Sequence, residues 1–208
     1  ISNLIKSDAL AFRVRFEGER PPFSTLYWRG PVLVDFDGQT WTMPQISPAG
    51  SMNYSKREKR TTYTITLEPQ NKTWLFALDV PAVLPAGAFA LGDLQVRDRR
   101  SVTETKRYEM SSYLDYKYGE RALQSSLQSS LAFDERRNPR TVALGRRLAR
   151  ENPDPRALLQ AVFQFYNREF TYTLDPPPLD PRDPYDDFLF ESKKGFCEHY
   201  AGSFALLM

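Results

Sequence analysis

The hydrophobic pattern of the first two thirds of this chain has a different period from that of the last third, and this difference restricts the folds open to the chain. From Ala11 to Phe16, apolar side chains alternate with charged ones, which is the two-residue period of a half-buried strand. The stretches TTYTITLEP, TWLFAL and TKRYEM are further strand candidates, and no helical spacing occurs before about residue 119. After Asn138 the spacing becomes helical. A β-rich part is therefore predicted to precede a part that contains helices.

The β-rich part contains a hairpin signal and a cluster of aromatic residues. The stretch VLVDFDGQTWTM places Asp37-Gly38 between apolar runs, and this dipeptide tolerates the positive φ angles of a tight turn. Tyr27, Trp28 and Trp41 surround the turn. They are either core side chains that flank the hairpin or a platform for carbohydrate. We favour the core role, because buried rings are usual for tryptophan in small sheets.

Two helix starts follow the polar stretch SSLQSSLAFDERRNP, which we interpret as a linker. Asn138-Pro139 combines a capping residue with a first-turn proline and predicts a helix to about Glu151. Asp154-Pro155 repeats this signal and predicts a second helix. The second helix carries a wide apolar stripe, formed by Leu158, Leu159, Val162, Phe163, Phe165 and Tyr166.

The segment after the second helix leads to the single cysteine of the chain. FTYTL returns to the two-residue period and predicts a strand, whereas DPPPLDPRDPYDD, with five prolines, is expected to break regular structure. In ESKKGFCEHYAGSFALLM, Gly195 permits a sharp turn and the helical pattern begins near Cys197. The cysteine is therefore predicted to lie at or just inside a helix N-terminus.

That position has a chemical consequence for Cys197. Unpaired N–H groups and the positive end of a helix dipole stabilise a thiolate, the reactive form of cysteine. Cys197, Ala201 and Ala205 share one helix face, and their small side chains would let a neighbouring strand approach the sulfur, as on a buried central helix. An inert core cysteine is an equal alternative on position alone, because free cysteine is among the most buried residue types.

The single histidine, His199, is two residues from Cys197, but residues at that spacing point to opposite faces of a helix. We therefore expect His199 to hydrogen-bond within the fold or to orient the preceding loop, and not to act as the base for Cys197. A metal site that joins His199 with Glu198 or Asp187 lacks the ligands a metal needs, so no metal is predicted.

Composition excludes some functions. The formal charge is +2, from 28 basic and 26 acidic residues mixed along the chain, so a nucleic-acid partner is not supported. One cysteine excludes an internal disulfide without indicating the cell compartment. A membrane span needs about 18 consecutive apolar residues, and no stretch approaches that length. The N-terminus has no signal-peptide pattern. We expect the chain to be part of a longer protein.

The quoted segments resemble a known family. GFCEHYAGSFALLM is similar to the nucleophile motif of transglutaminase-like cysteine enzymes. Together with YWRGPVLVDFDGQTW, FTYTLDPPPLD and DDFLFESKKGFCEHYA, it resembles the periplasmic region of the TgpA-like family of bacterial membrane-anchored proteins, over nearly the whole chain. The resemblance implies a β-rich domain before a transglutaminase-like core, and a periplasmic region anchored to the inner membrane by flanking segments.

The resemblance also implies a chemistry. Cys197 would be the nucleophile, and its backbone N–H, at the helix start, a donor to the oxyanion. The histidine and aspartate of a catalytic triad would come from later strands. Neither is present in these 208 residues, so the chain alone is expected to be inactive. The candidates for lining a substrate cleft are Gly195, Phe196, Glu198 and Tyr185.

The predicted fold class is α+β. A β-sandwich- or β-barrel-like domain is expected over residues 1–130, followed over residues 131–208 by the first part of a papain-like transglutaminase core, incomplete at its C-terminus. We expect a thiol acyltransferase or protease that uses no cofactor and acts on a peptide or protein, cell-wall peptide included. The alternative is a non-catalytic envelope scaffold or binding module that retains the core.

Overall fold

A computed structural model describes residues 9–43, 54–56, 59–118 and 131–208 of the chain. The described residues form two compact units. The N-terminal unit contains residues 9–34, 43, 54–56 and 59–118, and the C-terminal unit contains residues 35–42 and 131–208. The predicted domain boundary at residue 130 and the first part of the predicted linker lie outside the described residues, so that boundary stays a prediction.

The described residues contain both strands and helices, which confirms the α+β class. The strands are β1 Phe12–Phe16, β2 Trp28–Arg29, β3 Asp35–Phe36, β4 Trp41–Thr42, β5 Tyr54–Lys56, β6 Arg60–Leu67, β7 Trp74–Leu75, β8 Ala77–Leu78, β9 Val80–Val83, β10 Ala88–Ala90, β11 Val96–Asp98, β12 Lys106–Tyr113, β13 Tyr116–Tyr118, β14 Thr171–Tyr172 and β15 Lys194–Gly195. The α-helices are α1 Pro139–Glu151, α2 Pro155–Glu169, α3 Pro184–Asp187 and α4 Cys197–Leu207. None of the helices in these described ranges is both long and apolar enough to cross a membrane.

The main sheet of the N-terminal unit has four antiparallel strands in the order β1-β6-β12-β9. Its register places Val14 opposite Ile65 and Ile65 opposite Tyr108, so these side chains share one face. The predicted alternation is confirmed, because Tyr63 and Ile65 are fully buried. The predicted strand TWLFAL is interrupted at Phe76 and contributes β7 and β8 to different sheets. Closure into a sandwich or barrel stays a prediction.

The aromatic residues of the β-rich part have separate surroundings. The Trp28 ring packs 5.5 Å from Phe12 and 5.4 Å from Tyr63, so it belongs to the core of the N-terminal unit, as favoured. The favoured core role is wrong for Tyr27, which is 58% exposed and has the Arg29 guanidinium 5.2 Å from its ring centre. Trp41 lies in the C-terminal unit, where it stacks on Phe36 with ring centres 4.6 Å apart.

The predicted hairpin is present as the antiparallel pair β3–β4, here called the hairpin. Its loop is longer than a two-residue turn, since four residues, 37–40, connect the strands. Asp37 Oδ1 accepts hydrogen bonds from the N–H groups of Gln39 and Thr40, and only Gly38 in this loop has a positive φ, +98°. The aspartate therefore organises the loop through its side chain, and the glycine supplies the left-handed conformation.

Helix α1 has the predicted bounds, but Asn138 is not its side-chain cap. Asn138 has a left-handed backbone, with φ of 52°, and is fully buried. Its Nδ2 donates to Gly38 O at 2.9 Å, and its Oδ1 accepts from Tyr185 N–H at 2.8 Å. Capping falls to Asp186, whose carboxylate accepts from the N–H groups of Arg140 and Thr141. The sequence signal for a helix start is correct, but the capping side chain comes from a distant segment.

Helix α2 begins as predicted, with Asp154 accepting a hydrogen bond from Ala157 N–H at 2.9 Å. In the apolar stripe of α2, the buried residues are Leu158, Val162 and Tyr166. Phe163 departs from the prediction, since it is 52% exposed and stacks on Phe204, with ring centres 5.7 Å apart.

The proline-rich loop is irregular over residues 176–183, as expected, but its last proline begins α3. Proline suits this place because its fixed φ fits the first helical turn and no N–H is needed there. A π-helical turn, Phe188–Ser192, continues α3, with Lys193 N–H donating to Phe188 O at 3.0 Å. Lys193 then adopts a left-handed conformation with φ of 51° and ends the turn. The chain continues from there into β15.

We predict that Asn138→Gly lowers the free energy of unfolding by about 2 kcal/mol, because it leaves Gly38 O and Tyr185 N–H without their buried partner. Glycine accepts the left-handed backbone without strain, so the loss reports the hydrogen bonds. Asn138→Ala should cost about 1 kcal/mol more, since alanine is strained there. Urea unfolding of both variants measures the difference, and equal losses would contradict the role given to the backbone.

Candidate active site

Cys197 is the first residue of α4, which confirms the predicted placement at a helix N-terminus. The helix begins its hydrogen-bond pattern with Tyr200 N–H donating to Phe196 O at 3.2 Å. The N–H groups of Cys197, Glu198 and His199 precede that bond, so the helix itself gives them no acceptor. The Cys197 side chain is exposed. An exposed thiol therefore lies on the first residue of a helix whose first N–H groups have no acceptor within the helix.

The segment before the cysteine is held in a short parallel strand pair. Thr171 N–H donates to Lys193 O at 2.9 Å, and Thr173 N–H donates to Gly195 O at 2.8 Å. Gly195 does not make the predicted sharp turn, since it lies in β15 and its φ is not positive. Its role is steric: a Cβ there would lie 2.8 Å from the Phe188 ring and 2.9 Å from His199 Cβ. The glycine lets these side chains pack directly against the backbone.

His199 fixes the start of α4. Its Nδ1 accepts a hydrogen bond from Phe196 N–H at 3.3 Å, and its ring packs edge-on against Phe196, with ring centres 4.3 Å apart. Burial lowers the pKa of His199, against smaller opposing effects of Glu198 and the Phe196 bond. The Nδ1 lone pair is in use within the fold, as the sequence analysis expected. His199 therefore orients the residue before Cys197 and is not placed as its base.

Helix α4 buries one face and exposes another. The buried face contains Gly202, Ser203 and Leu207. Ser203 Oγ donates to His199 O at 2.6 Å and lies 2.8 Å from the Tyr166 hydroxyl, which ties α4 to α2. The opposite stripe of Cys197, Ala201 and Ala205 is exposed in this structure. Burial of that side in a complete core stays a prediction.

Tyr185 packs under the middle of α4. A Cβ at Gly202 would overlap the Tyr185 hydroxyl oxygen and lie 2.6 Å from the ring carbon Cζ, so only glycine leaves room for the phenol. The hydroxyl accepts a hydrogen bond from Trp41 Nε1 at 2.9 Å. Burial raises the pKa of Tyr185 to about 12, and the nearby Glu198 carboxylate adds to the rise while the Trp41 bond opposes it. The phenol is thus neutral at physiological pH.

The predicted site residues divide into exposed and buried ones. Cys197 and Glu198 are exposed, whereas Gly195 is buried and Phe196 and Tyr185 are each 6% exposed. The three buried residues form the support beneath the start of α4, and their assignment to a substrate cleft stays a prediction. Within the described ranges, no cluster of three or more His, Cys, Asp or Glu side chains is placed to hold a metal ion.

Sequence reasoning missed three residues that support α4. Trp41 and Asn138 hydrogen-bond to Tyr185, which is more than 40 residues away in the chain, so no local sequence pattern indicates these contacts. Gly202 did leave a signal, because an isolated glycine within a helical pattern often marks a close approach of another element.

The chain also matches known families. The model of the TgpA N-terminal domain matches residues 1–119, more than half of the chain. The chain belongs to the TgpA family. The transglutaminase-like superfamily matches residues 142–208, which include α4 and Cys197. The resemblance noted from the quoted segments is confirmed.

A curated relative and two crystal structures are similar to the chain. It is 36% identical over 210 residues to a protein-glutamine gamma-glutamyltransferase of Pseudomonas aeruginosa. That match covers 100% of this chain and 31% of the relative, so the chain spans about a third of the relative's length. The crystal structures are of the periplasmic domain of TgpA from Pseudomonas aeruginosa, one of them bound to ethylmercury.

Both crystal structures share the fold of this chain at 36% identity. The ethylmercury-bound structure has a TM-score of 0.89, and the match covers 99% of this chain and 73% of that one. The other has a TM-score of 0.91, with coverage of 99% and 72%.

We predict that acid weakens the fold through His199. Because burial lowers the pKa of the folded imidazole below its ordinary 6.5, the unfolded chain binds the proton first as pH falls, and stability is lost below that value. His199→Gln keeps an acceptor for Phe196 N–H without titrating. Urea unfolding at about pH 7 and about pH 5 should show a smaller loss for the variant. His199 is the single histidine, so equal losses would contradict this role.

Proposed function

We propose that the protein containing this chain is a thiol acyltransferase with Cys197 as its nucleophile. The observation that carries the proposal is an exposed thiol on the first residue of an 11-residue helix, beside N–H groups that the helix leaves without acceptors. Membership of the transglutaminase-like superfamily over residues 142–208 supports the same chemistry. Position alone leaves nucleophile and structural cysteine equal, and the family together with the exposure favours the nucleophile.

The proposed reaction has two steps. The Cys197 thiolate adds to the carbon of a glutamine carboxamide, and the developing oxyanion accepts a hydrogen bond from the Cys197 backbone N–H. A protonated base gives its proton to the nitrogen and the C–N bond breaks. Ammonia departs, and the acyl group remains on Cys197 as a thioester. A primary amine then attacks the thioester and loses a proton to the base, the C–S bond breaks, and the starting thiolate and protonated base are restored. Water in place of the amine gives a carboxylate, which is the hydrolytic form of the same reaction.

We assign the base of this reaction to a residue of the longer protein that is not among these 208. His199 is the single histidine here, and its Nδ1 is engaged with Phe196 N–H. The family resemblance supplies a histidine and an aspartate on strands that follow α4, and we adopt that assignment. On this proposal residues 1–208 provide the nucleophile and its oxyanion donor, and by themselves do not turn over substrate.

The relatives support a substrate class and a location for this proposal. A relative named protein-glutamine gamma-glutamyltransferase supports a protein or peptide glutamine as the acyl donor, and cell-wall peptide falls in the same chemical class. The similarity to a periplasmic domain supports a periplasmic site of action, with anchoring to the inner membrane by segments outside this sequence. No cofactor takes part in the proposed steps.

The thiol itself provides the sharpest test of this proposal. We expect iodoacetamide to alkylate Cys197 at about pH 7 at least about tenfold faster than a cysteine on the same exposed face, because Cys197 lies at the helix start, where the first N–H groups have no acceptor within the helix. The matched control is the double variant Cys197→Ala/Ala201→Cys, which moves the single thiol one turn along the exposed stripe. Equal rates for the two thiols would count against a nucleophile.

Activity is tested in the full-length protein. Incorporation of a primary amine into a glutamine-containing protein should be lost on Cys197→Ser, since a hydroxyl is a far weaker nucleophile here. The expected loss is at least about a thousandfold. Retained activity in that variant would overturn the proposal, and absence of activity in the unaltered protein would favour the envelope scaffold.

A further inference from the structure

The hairpin belongs structurally to the unit that holds the cysteine. Residues 35–42 group with residues 131–208 in one compact unit, although they lie inside the range that matches the TgpA N-terminal domain. A boundary drawn between the two family matches would therefore separate the hairpin from α4. A role for the hairpin at the site requires a direct physical connection to that helix.

The aromatic side chain of Tyr185 makes that connection. Trp41 Nε1 donates to the Tyr185 hydroxyl at 2.9 Å, and Phe36 stacks on Trp41 while its ring centre lies 5.6 Å from that of Tyr185. Tyr185 in turn fills the space left by Gly202 on the buried face of α4. The phenol of Tyr185 thus connects the hairpin to α4.

The position of the Tyr185 hydroxyl is restricted by its burial and by its contacts. Tyr185 is only 6% exposed, so a hydroxyl without a partner there would carry an uncompensated desolvation cost. Its partner in the described structure is the Trp41 indole, and its oxygen sits where a Cβ of Gly202 would be. Movement of the phenol therefore displaces either the hairpin or α4.

We infer that Trp41 and Tyr185 are positioning residues for Cys197, holding the start of α4 in the geometry that the thiol chemistry needs. Gly202 is five residues from Cys197, about 7.5 Å along the helix, so a shift at Gly202 is transmitted to the first turn. The inference rests on the proposed function in taking Cys197 as the nucleophile.

Two variants remove the same hydrogen bond from opposite sides. Trp41→Phe keeps a ring to stack on Phe36 but removes the indole N–H, and Tyr185→Phe removes only the hydroxyl. Each should slow iodoacetamide alkylation of Cys197 by about threefold to tenfold at about pH 7, because a loosened first turn no longer holds the sulfur in one position at the helix start. The double variant should be no slower than the slower single variant, since both changes delete one interaction.

Trp28→Phe is the matched control. It makes the same substitution in the core of the N-terminal unit, where Trp28 packs on Phe12 and Tyr63. It should lower the melting temperature and leave the Cys197 alkylation rate within about twofold of the unaltered chain, measured well below melting. Hydrogen exchange at the first-turn amides of α4 should rise in Trp41→Phe and not in Trp28→Phe.

The outcomes separate this inference from the proposed function. Equal alkylation rates in Trp41→Phe, Trp28→Phe and the unaltered chain, or additive effects in the double variant, would overturn the positioning role. Amine incorporation by Cys197→Ser would overturn the proposed function and leave the alkylation comparison standing. Slowed alkylation and lowered kcat with unchanged KM in Trp41→Phe would support both.

Discussion

The C-terminal unit depends on the hydrogen bonds of one fully buried amide, Asn138. Its side chain joins the carbonyl of Gly38 in the hairpin to the N–H of Tyr185 in α3, and its own N–H donates to Asp183 Oδ1 at 2.6 Å. An unpaired amide in this position would be costly, so three segments distant in sequence must meet there. The left-handed backbone of Asn138 turns the chain directly into α1 from this point.

Close approach at glycine is the second constraint on the site. Gly195 admits His199 and Phe188, Gly202 admits Tyr185, and Gly145 in α1 admits the Leu207 carbonyl. In each case a Cβ would overlap a neighbour or lie less than 3 Å from it. Helix α4 is therefore fixed along its buried side by contacts that leave little freedom, while the face that carries Cys197 stays open. Under the proposed function, this rigid support would hold the Cys197 thiol in one position for attack.

Most elements could be predicted locally, and the errors share one cause. The hairpin, the bounds of α1, and the starts of α2 and of α4 at Cys197 follow from turn residues, caps and periodicity within a few residues of each element. Asn138 was expected to cap α1, Gly195 to make a turn, and Phe163 to be buried. Each of these errors concerns a side chain whose partner lies elsewhere in the chain or whose face meets solvent, which local patterns do not report.

The sequence alone determined the α+β class, the family and the placement of the single cysteine at a helix start, because period, capping and motif are properties of neighbouring residues. The tertiary structure decided that His199 serves the backbone of Phe196, that Asp186 caps a helix 45 residues away, and that the hairpin packs with α4 through Trp41 and Tyr185. These outcomes depend on which buried polar groups find partners when distant segments pack together. That choice is made by the whole fold, since each buried donor and acceptor must be satisfied at once.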